Sequence, residues 1–123
     1  MTTLYHGSHS ALTMGHEGQC FTDDLEVAIT FAGSHGKVFR VEMDLESLVW
    51  EECEGYDHDT NECLADNDGY RSRACARGVD VLAYDDEDEC GRSLTCWRIL
   101  SHKAIEMVRT SAQALSQKDL ENL

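Results

Sequence analysis

The sequence predicts an α+β fold, a compact mixed arrangement of short, mostly antiparallel strands with a few helices. The chain has 123 residues, the size of one domain, and 41% of them are hydrophobic, which is sufficient for one core. Segments of strand character outnumber segments of helical character, and the helical segments fall between groups of strands. A doubly wound parallel sheet, which needs strands and helices in regular alternation, is therefore not expected.

Four elements are predicted in the first 44 residues. Thr2–Tyr5 is short and β-prone and runs into a glycine turn, and a second short strand is expected at Gln19–Thr22. A helix follows, because apolar residues recur with helical spacing between residues 25 and 32 and glycines close the segment. Lys37–Asp44 alternates between apolar and polar residues, as a half-buried strand does. The candidate N-caps of the helix are Thr22, Asp23 and Asp24.

The second half of the chain predicts a helix, a hairpin and a final strand. Residues from about Cys63 to Arg77 have helical character, with an interruption at Asn67-Asp68-Gly69. Val79–Tyr84 and Leu94–Leu100 are β-prone and are joined by an acidic turn, which indicates a hairpin. Ala104–Val108 is predicted as the last strand.

The domain organisation is expected to be simple. No repeat, low-complexity tract or linker divides the chain, so we expect a single domain over residues 1–109 and a polar tail of helical character over residues 110–123. The start of the chain lacks the features of a signal peptide, and no run approaches the roughly 20 apolar residues that span a membrane. A cytoplasmic location follows, where the six cysteines are expected to be free thiols.

The charge is strongly negative and unevenly distributed. Ten Lys and Arg against 24 Asp and Glu give a net charge of −14. Ten acids lie between Asp44 and Asp68, where there is no Lys or Arg, and five more follow one another from Asp85 to Glu89. This charge argues against direct binding to nucleic acid or to a membrane and favours a basic protein partner. The stretch from Asp44 to Asp68 is expected to be largely an exposed loop.

A metal site is not expected. His6, His9, His16 and Cys20 lie within fifteen residues, but the chain has no C-x-x-C pair and no H-E-x-x-H sequence. The other cysteines are expected to behave as small hydrophobic residues.

Three segments combine residues that suit ligand binding. Leu4-Tyr5-His6-Gly7-Ser8 places polar side chains and a glycine at the end of a strand. Residues 21–32 run from a strand into a capped helix, where N–H groups can hold an anion and Phe21 or Phe31 can stack on a flat ring. The turn 85–91 can aim a carboxylate at a developing oxocarbenium ion or at ribose hydroxyls. Each segment also has a purely structural interpretation, as a glycine turn, an amphipathic helix and a solvated acidic loop.

Together these segments resemble the ADP-ribosyltransferase superfamily. In that family the first strand ends in His or Arg, a middle strand and helix lie beneath nicotinamide, and a late strand or turn carries an acidic catalytic residue. Within it, the chain looks most like the small phage anti-CRISPR ADP-ribosyltransferases that modify a type I CRISPR surveillance complex. The resemblance spans about residues 4–100 and also rests on Asn67-Asp68-Gly69-Tyr70, Arg77-Gly78, Glu87-Asp88-Glu89-Cys90-Gly91 and Cys96.

The resemblance implies a mono-ADP-ribosyltransferase that uses NAD as co-substrate and modifies a side chain of a basic protein, such as a subunit of a CRISPR surveillance complex. It implies that His6 and Gly7 contact the adenosine-side ribose or the amide of NAD. Ser8 would assist, and Tyr5 belongs to the same binding segment.

The resemblance also assigns the nicotinamide half and the catalytic acid. Phe21, Thr22 and Phe31 would flank nicotinamide. Asp88 aligns with the catalytic carboxylate, and its neighbours Glu87 and Glu89 are the alternatives.

Two departures from the family leave details open. Phe21-Thr22 lacks the Ser-Thr-Ser sequence of arginine-modifying members, so the target side chain is not determined. Glu87-x-Glu89 fits the two-glutamate pattern of those members, which keeps both glutamates as catalytic candidates. Cations that could hold the pyrophosphate are scarce in so acidic a chain, and the candidates are Arg40, Arg71 and Arg73.

A second class of function also fits the charge. A small protein with a charge of −14 could act without chemistry, as a DNA mimic that occupies the basic channel of a nucleic-acid-binding protein. A mimic has no need for His6-Gly7-Ser8 together with Asp88, and this combination therefore favours the enzyme.

Overall fold

The protein is organised around a seven-stranded sheet. The computed structural model describes residues 1–8, 14–34, 36–55, 59, 63–87 and 93–121, with the backbone alone at residues 86, 87, 93, 94, 117 and 121. The strands are β1 (Thr2–Ser8), β2 (Cys20–Thr22), β3 (Lys37–Met43), β4 (Trp50–Glu52), β5 (Val81–Glu87), β6 (Ser93–Ile99) and β7 (Gln113–Ala114). Their order across the sheet is β4-β5-β6-β2-β1-β3-β7.

Four α-helices accompany the sheet in the part of the chain that the structure describes. They are α1 (Leu25–Ala32), α2 (Asp68–Ala76), α3 (His102–Ser111) and α4 (Gln117–Glu121), and a 3-10 turn at Leu64–Asp66 precedes α2. Neighbouring strands are antiparallel apart from the parallel pair β4 and β5. The predicted α+β class with mostly antiparallel strands is confirmed.

Different helices cover the two faces of the sheet. On one face α3 buries Ala104 and Val108 in a cluster that includes Leu4 of β1. On the other face α1 packs on β1 and β3 through Ala28 and Val38, while α2 closes a further cluster against β5 and β6. The space between α1 and the middle strands lies on this second face.

Helix α1 begins where the sequence predicts it. Asp24 is the N-cap, and its carboxylate accepts hydrogen bonds from the backbone N–H of Glu26 (3.0 Å) and of Val27 (3.4 Å). The Thr22 hydroxyl accepts from the backbone N–H of Asp24 at 3.1 Å, which fixes the turn from β2 into the helix. Gly33 ends α1 with a positive φ of 69°, a conformation that favours glycine.

The final strand predicted at Ala104–Val108 is wrong, because this segment lies within α3. The Ser101 hydroxyl accepts a hydrogen bond from the backbone N–H of Ala104 at 3.1 Å and caps the helix. Ala104 and Val108 are four residues apart, so a helix buries both on one face. The short apolar run fits a strand pattern as well as a helical one, and the Ser101 cap favours the helix.

Two strands lie where none was predicted. Trp50–Glu52 forms β4 inside the acidic stretch that was expected to be a loop, and the backbone N–H of Asp80 donates to Val49 O at 2.7 Å beside it. After α3, which runs past residue 109, Gln113–Ala114 pairs with β3 as β7. Among the described residues, every helix is too short or too polar to cross a membrane.

Candidate functional site

A cleft of about 310 Å³ lies between α1 and the middle strands of the sheet. Its volume is at the low end of ligand pockets, about 300–1,000 Å³, and suits a nucleoside-sized group. In the register of the sheet, the strands β5, β6, β2 and β1 meet side by side at Tyr84, Cys96, Thr22 and Tyr5. The residues that line the cleft are Tyr5, His6, Gly7, Cys20, Phe21, Thr22, Ala28, Phe31, Tyr84, Cys96 and Arg98.

Most of the residues predicted to bind the co-substrate meet in this cleft. Six of the seven line it, namely Tyr5, His6, Gly7, Phe21, Thr22 and Phe31. Ser8, the seventh, is buried at the end of β1 and is not a lining residue. These six residues come from β1 and from the consecutive elements β2 and α1, which the fold brings together.

Gly7 is where β1 and α1 come closest. A Cβ atom added to Gly7 would lie 1.8 Å from the carbonyl oxygen of Ala28 and 2.9 Å from the backbone nitrogen of Ala32. From the sequence, a ligand is expected to approach the backbone closely at Gly7. In the structure the backbone of α1 makes this close approach instead. Gly7 shapes the wall of the cleft because it lets the helix rest directly on the strand.

His6 joins β1 to β2 at the edge of the cleft. Its Nδ1 lies 2.7 Å from the carbonyl oxygen of Cys20, and since a carbonyl can only accept, Nδ1 donates. The ring lies 5.6 Å from that of Phe21, centroid to centroid. Burial is the largest influence on His6 and lowers its pKa from the ordinary 6.5, while the bond to Cys20 opposes the shift. The neutral ring then leaves Nε2 as a buried acceptor, without a hydrogen-bond partner in the described structure.

The two predicted aromatic residues differ in how much surface they offer. Phe21 is 1% exposed and belongs to the core beneath α3. Phe31 is 58% exposed on α1 and lines the mouth of the cleft. Only Phe31 therefore has a free ring face large enough to stack on a ligand.

Sequence reasoning missed two side chains on the floor of the cleft. The Sγ atom of Cys20 lies 3.2 Å from the hydroxyl oxygen of Tyr84, across the intervening strand β6. Burial, followed by the neighbouring Cys20, raises the pKa of Tyr84, so its hydroxyl stays protonated and can donate at neutral pH.

Among the described residues, Arg98 is the arginine that lines the cleft, and it was not among the predicted pyrophosphate-binding arginines. Its guanidinium lies 5.7 Å from the ring centre of Tyr84, donates from Nη1 to Gly18 O at 2.8 Å, and pairs through Nη2 with Asp66. Its buried Nε has no hydrogen-bond partner among the described residues. The alternation of side chains along β6 could have indicated Arg98. It lies two residues after Cys96, on a face of the strand that is otherwise apolar.

The three arginines proposed from the sequence lie elsewhere. Arg40 donates to the Gln113 side chain at 2.7 Å on the far side of β1. Arg71 lies on α2, donates to Ala65 O at 3.0 Å and pairs with Asp68. Arg73 is exposed on the same helix, and none of the three is a lining residue of the cleft.

The predicted catalytic carboxylates follow one another in the sequence at and directly after the end of β5. Glu87 is the last residue of β5 and is paired with Ser93, whereas Asp88 and Glu89 lie outside the described residues. Glu87 follows Tyr84 by three positions, about 10 Å along the strand. His6 lies three strands away from Glu87 across the sheet and four residue positions away along the strand direction. The two residues are therefore about 20 Å apart. An extended dinucleotide could reach from His6 to Glu87, whereas a single ribose could not.

Comparisons with protein-family models, with curated proteins and with solved structures found no match to this chain. Within the described ranges, no group of three or more His, Cys, Asp or Glu side chains could hold a metal ion. A functional assignment therefore depends on the residues of the cleft.

Proposed function

We propose that the protein is a mono-ADP-ribosyltransferase that binds NAD in this cleft and transfers ADP-ribose to a side chain of a protein target. The observation that carries the proposal is that two of the three segments singled out from the sequence, residues 4–8 and 21–32, line the same cavity. Residues chosen from the sequence on β1, on β2 and on α1 line one cleft of ligand size.

The cleft offers groups that suit the parts of a dinucleotide. The exposed ring of Phe31 can stack on nicotinamide, and the Tyr84 hydroxyl can donate to a ribose hydroxyl. Arg98 supplies the cation that a pyrophosphate needs, and its Nε is a donor without a protein partner in the described structure. The neutral His6 ring holds a buried acceptor at Nε2, and His6 lines the cleft.

The reaction needs one carboxylate from the acidic turn between β5 and β6. The bond between the ribose carbon and nicotinamide breaks, and nicotinamide leaves as a neutral molecule with the bonding electron pair. Asp88, or one of its neighbours Glu87 and Glu89, stabilises the positive charge that develops on the ribose. A nucleophile of the target forms a bond to the same carbon, and its proton passes to solvent water.

The charge of the protein suits a basic target. A net charge of −14 attracts positively charged proteins over long range and repels free nucleic acid. We propose a nucleic-acid-binding protein in the cytoplasm as the target, and a subunit of a CRISPR surveillance complex is the specific candidate.

Calorimetry with NAD tests the cleft. Phe31→Ser removes the exposed ring and is expected to weaken NAD binding about tenfold, since stacking of one base contributes about 1–3 kcal/mol. Val49→Ser is the matched control, because Val49 is 54% exposed and lies outside the cleft. Release of nicotinamide, with water as the acceptor, tests the chemistry without a known target. Absence of NAD binding to the unmodified protein would overturn the proposal.

The DNA mimic is the second candidate, and the distribution of exposed acids favours it. Glu46, Glu52, Glu54 and Asp85 are exposed around β4 and the adjoining end of β5. A mimic would bind a basic nucleic-acid-binding protein in a salt-sensitive manner without binding NAD. That pair of results would select the mimic over the enzyme.

A further inference from the structure

The edge strand β4 carries exposed apolar surface that the cleft does not explain. Val49 is 54% exposed and Trp50 is 44% exposed. β4 lies at the end of the strand order and pairs with β5 alone in the described part of the sheet. An exposed Trp on an edge strand is unusual in a monomeric protein, because such a side chain favours contact with another protein chain.

This apolar surface is held in place by its neighbours. The ring of Trp50 packs edge-on against Trp97, with 5.5 Å between centroids. The backbone N–H of Val49 donates to the Asp80 carboxylate at 2.8 Å, and Asp80 returns a backbone hydrogen bond to Val49 O at 2.7 Å. A side chain that is already fixed loses little entropy on binding, which is a property of interface anchors.

Carboxylates surround the apolar pair. The stretch from Asp44 to Asp68 has ten acids and no Lys or Arg, and Glu46, Glu52 and Glu54 are exposed in it. The one described cation that pairs with β4 is Arg77, which donates to Glu51 at 2.8 Å. A basic chain is therefore the partner whose charge complements this edge.

A small crevice continues this edge toward the proposed NAD cleft. It has a volume of about 40 Å³ and is lined by Glu52, Glu54, Asp85, Thr95, Ala83, Tyr84 and Cys53. Its three carboxylates suit the head group of one Arg or Lys side chain. Tyr84 lines both the crevice and the cleft, so the two adjoin this residue.

We infer that the β4 edge, defined as Val49–Glu54 with the adjoining crevice, docks an extended basic segment of the protein partner. The aliphatic stems and cationic heads of that segment pack on Val49 and Trp50, and one head enters the crevice between Glu52, Glu54 and Asp85. The inference goes beyond the proposed function and does not depend on NAD, because docking on this edge serves an enzyme and a mimic alike.

The test uses the full chain and a nine-residue peptide of alternating Arg and Val, with a Glu and Val peptide as the control probe. The chemical shifts of the backbone amides of residues 46–54 and 80–85, measured in proton–nitrogen-15 NMR spectra, are expected to change when the basic peptide is added and not when the acidic peptide is added. Val49→Ser and Trp50→Ala leave the net charge unchanged and are each expected to weaken peptide binding about tenfold. Phe31→Ser, a matched exposed apolar residue on α1, is expected to leave it unchanged.

The role of the acidic side chains is tested by two double substitutions that change the net charge of the protein by the same amount. Glu52→Gln with Glu54→Gln is expected to weaken binding about tenfold, whereas Glu26→Gln with Glu106→Gln, at exposed positions of α1 and α3, is expected to change it less than twofold. Equal losses in both pairs, or shifts spread over all acidic surfaces, would show non-specific attraction and overturn the inference.

Two further outcomes are decisive. Self-association through β4, seen as concentration-dependent broadening of the same amides before the peptide is added, would identify a second copy as the occupant and overturn the inference. Peptide binding at β4 without NAD binding would leave this inference standing while the proposed function fails. Should Trp50→Ala unfold because Trp97 loses its neighbour, Val49→Ser alone decides.

Discussion

The backbone of Gly7 rests directly against Ala28, so that no side chain fits between β1 and α1. A Cβ atom at Gly7 would lie 1.8 Å from the Ala28 carbonyl oxygen, far inside van der Waals contact. The obstacle is helix backbone, which cannot rotate away as a flexible side chain could. The position of α1 over the cleft, and with it the position of Phe31, therefore depends on a glycine in β1.

Replacement of Gly7 tests this dependence. Gly7→Ala is expected to lower the free energy of unfolding by about 1–3 kcal/mol or more, because α1 must move away from β1. It should also weaken NAD binding, since Phe31 moves with the helix. Denaturant unfolding and calorimetry measure the two effects.

Gly69→Ala is the control substitution. A Cβ atom there, in the first turn of α2, would come within 3.2 Å of the end of the flexible Arg73 side chain and 3.3 Å of the Asn67 side-chain oxygen, and neither is helix backbone. Alanine is favoured over glycine in a helix by about 0.5–1 kcal/mol, so no loss of stability is expected. Equal stability of Gly7→Ala and the unmodified protein would contradict the close contact between β1 and α1.

The fold could be predicted from the sequence where a local pattern decides it. The apolar spacing of residues 25–32, the candidate caps before it and the alternation in Lys37–Asp44 are local, and α1 and β3 formed within a residue of their predicted places. The hairpin of β5 and β6 followed from two β-prone runs on either side of an acidic turn. β4 was missed because its pairing with β5 joins residues about thirty positions apart within a sequence that reads as a solvated loop.

The candidate site could be predicted only in part, for a related reason. The sequence shows which segments have suitable chemistry, and six of the seven residues chosen for NAD line one cleft. It does not show which cation faces that cleft, because Arg98 is oriented by Gly18 O and Asp66, which are distant in the chain. The role expected for Gly7 also changed, since only the packing of α1 shows what approaches it.

The buried His6 ring predicts a dependence of stability on pH. Burial lowers the pKa of His6 below 6.5, so the unfolded chain binds a proton more readily than the folded one. The stability that comes from the neutral ring is present above about pH 6.5 and is lost as the pH falls through the lower pKa of the folded state. The free energy of unfolding should therefore fall as the pH is lowered below about 6.5 in urea titrations.

Substitution of His6 identifies the source of that slope. His6→Gln removes the titrating ring, and the decrease in stability over this pH range is expected to become smaller. His102→Gln removes a histidine from an exposed position of α3 and is expected to keep the slope of the unmodified protein. A slope that is the same in His6→Gln and the unmodified protein would assign the effect to another group.

Arg98 is expected to contribute to the affinity for the phosphates of NAD. Arg98→Lys keeps a charge but loses the planar guanidinium with its several donors, and NAD binding should weaken by about tenfold or more, since a hydrogen bond to a charged group contributes about 1.5–3 kcal/mol. Binding of nicotinamide riboside, which has no phosphate, should change little. Calorimetry with both ligands separates a phosphate contact from a general loss of structure.

Arg40→Lys is the control for this experiment. Arg40 lies on β3 outside the cleft, where it donates to Gln113. Its substitution is expected to leave the affinity for both ligands unchanged. An equal loss of NAD and nicotinamide riboside affinity in Arg98→Lys would show that Arg98 only holds β6 in place through Gly18 and Asp66.

The acid of the hairpin is the last group to be assigned, and three substitutions compare its candidates. Asp88→Asn is expected to reduce nicotinamide release about 10²–10³-fold, because it removes the charge that stabilises the developing positive charge on the ribose. The affinity for NAD should stay within a few-fold and the circular dichroism spectrum should not change. Glu87→Gln and Glu89→Gln should have smaller effects, and Glu46→Gln controls for the loss of one exposed acid elsewhere. Full activity of Asp88→Asn together with an inactive Glu87→Gln or Glu89→Gln would move the catalytic role to that glutamate, and activity in all three would place the catalytic group outside the hairpin.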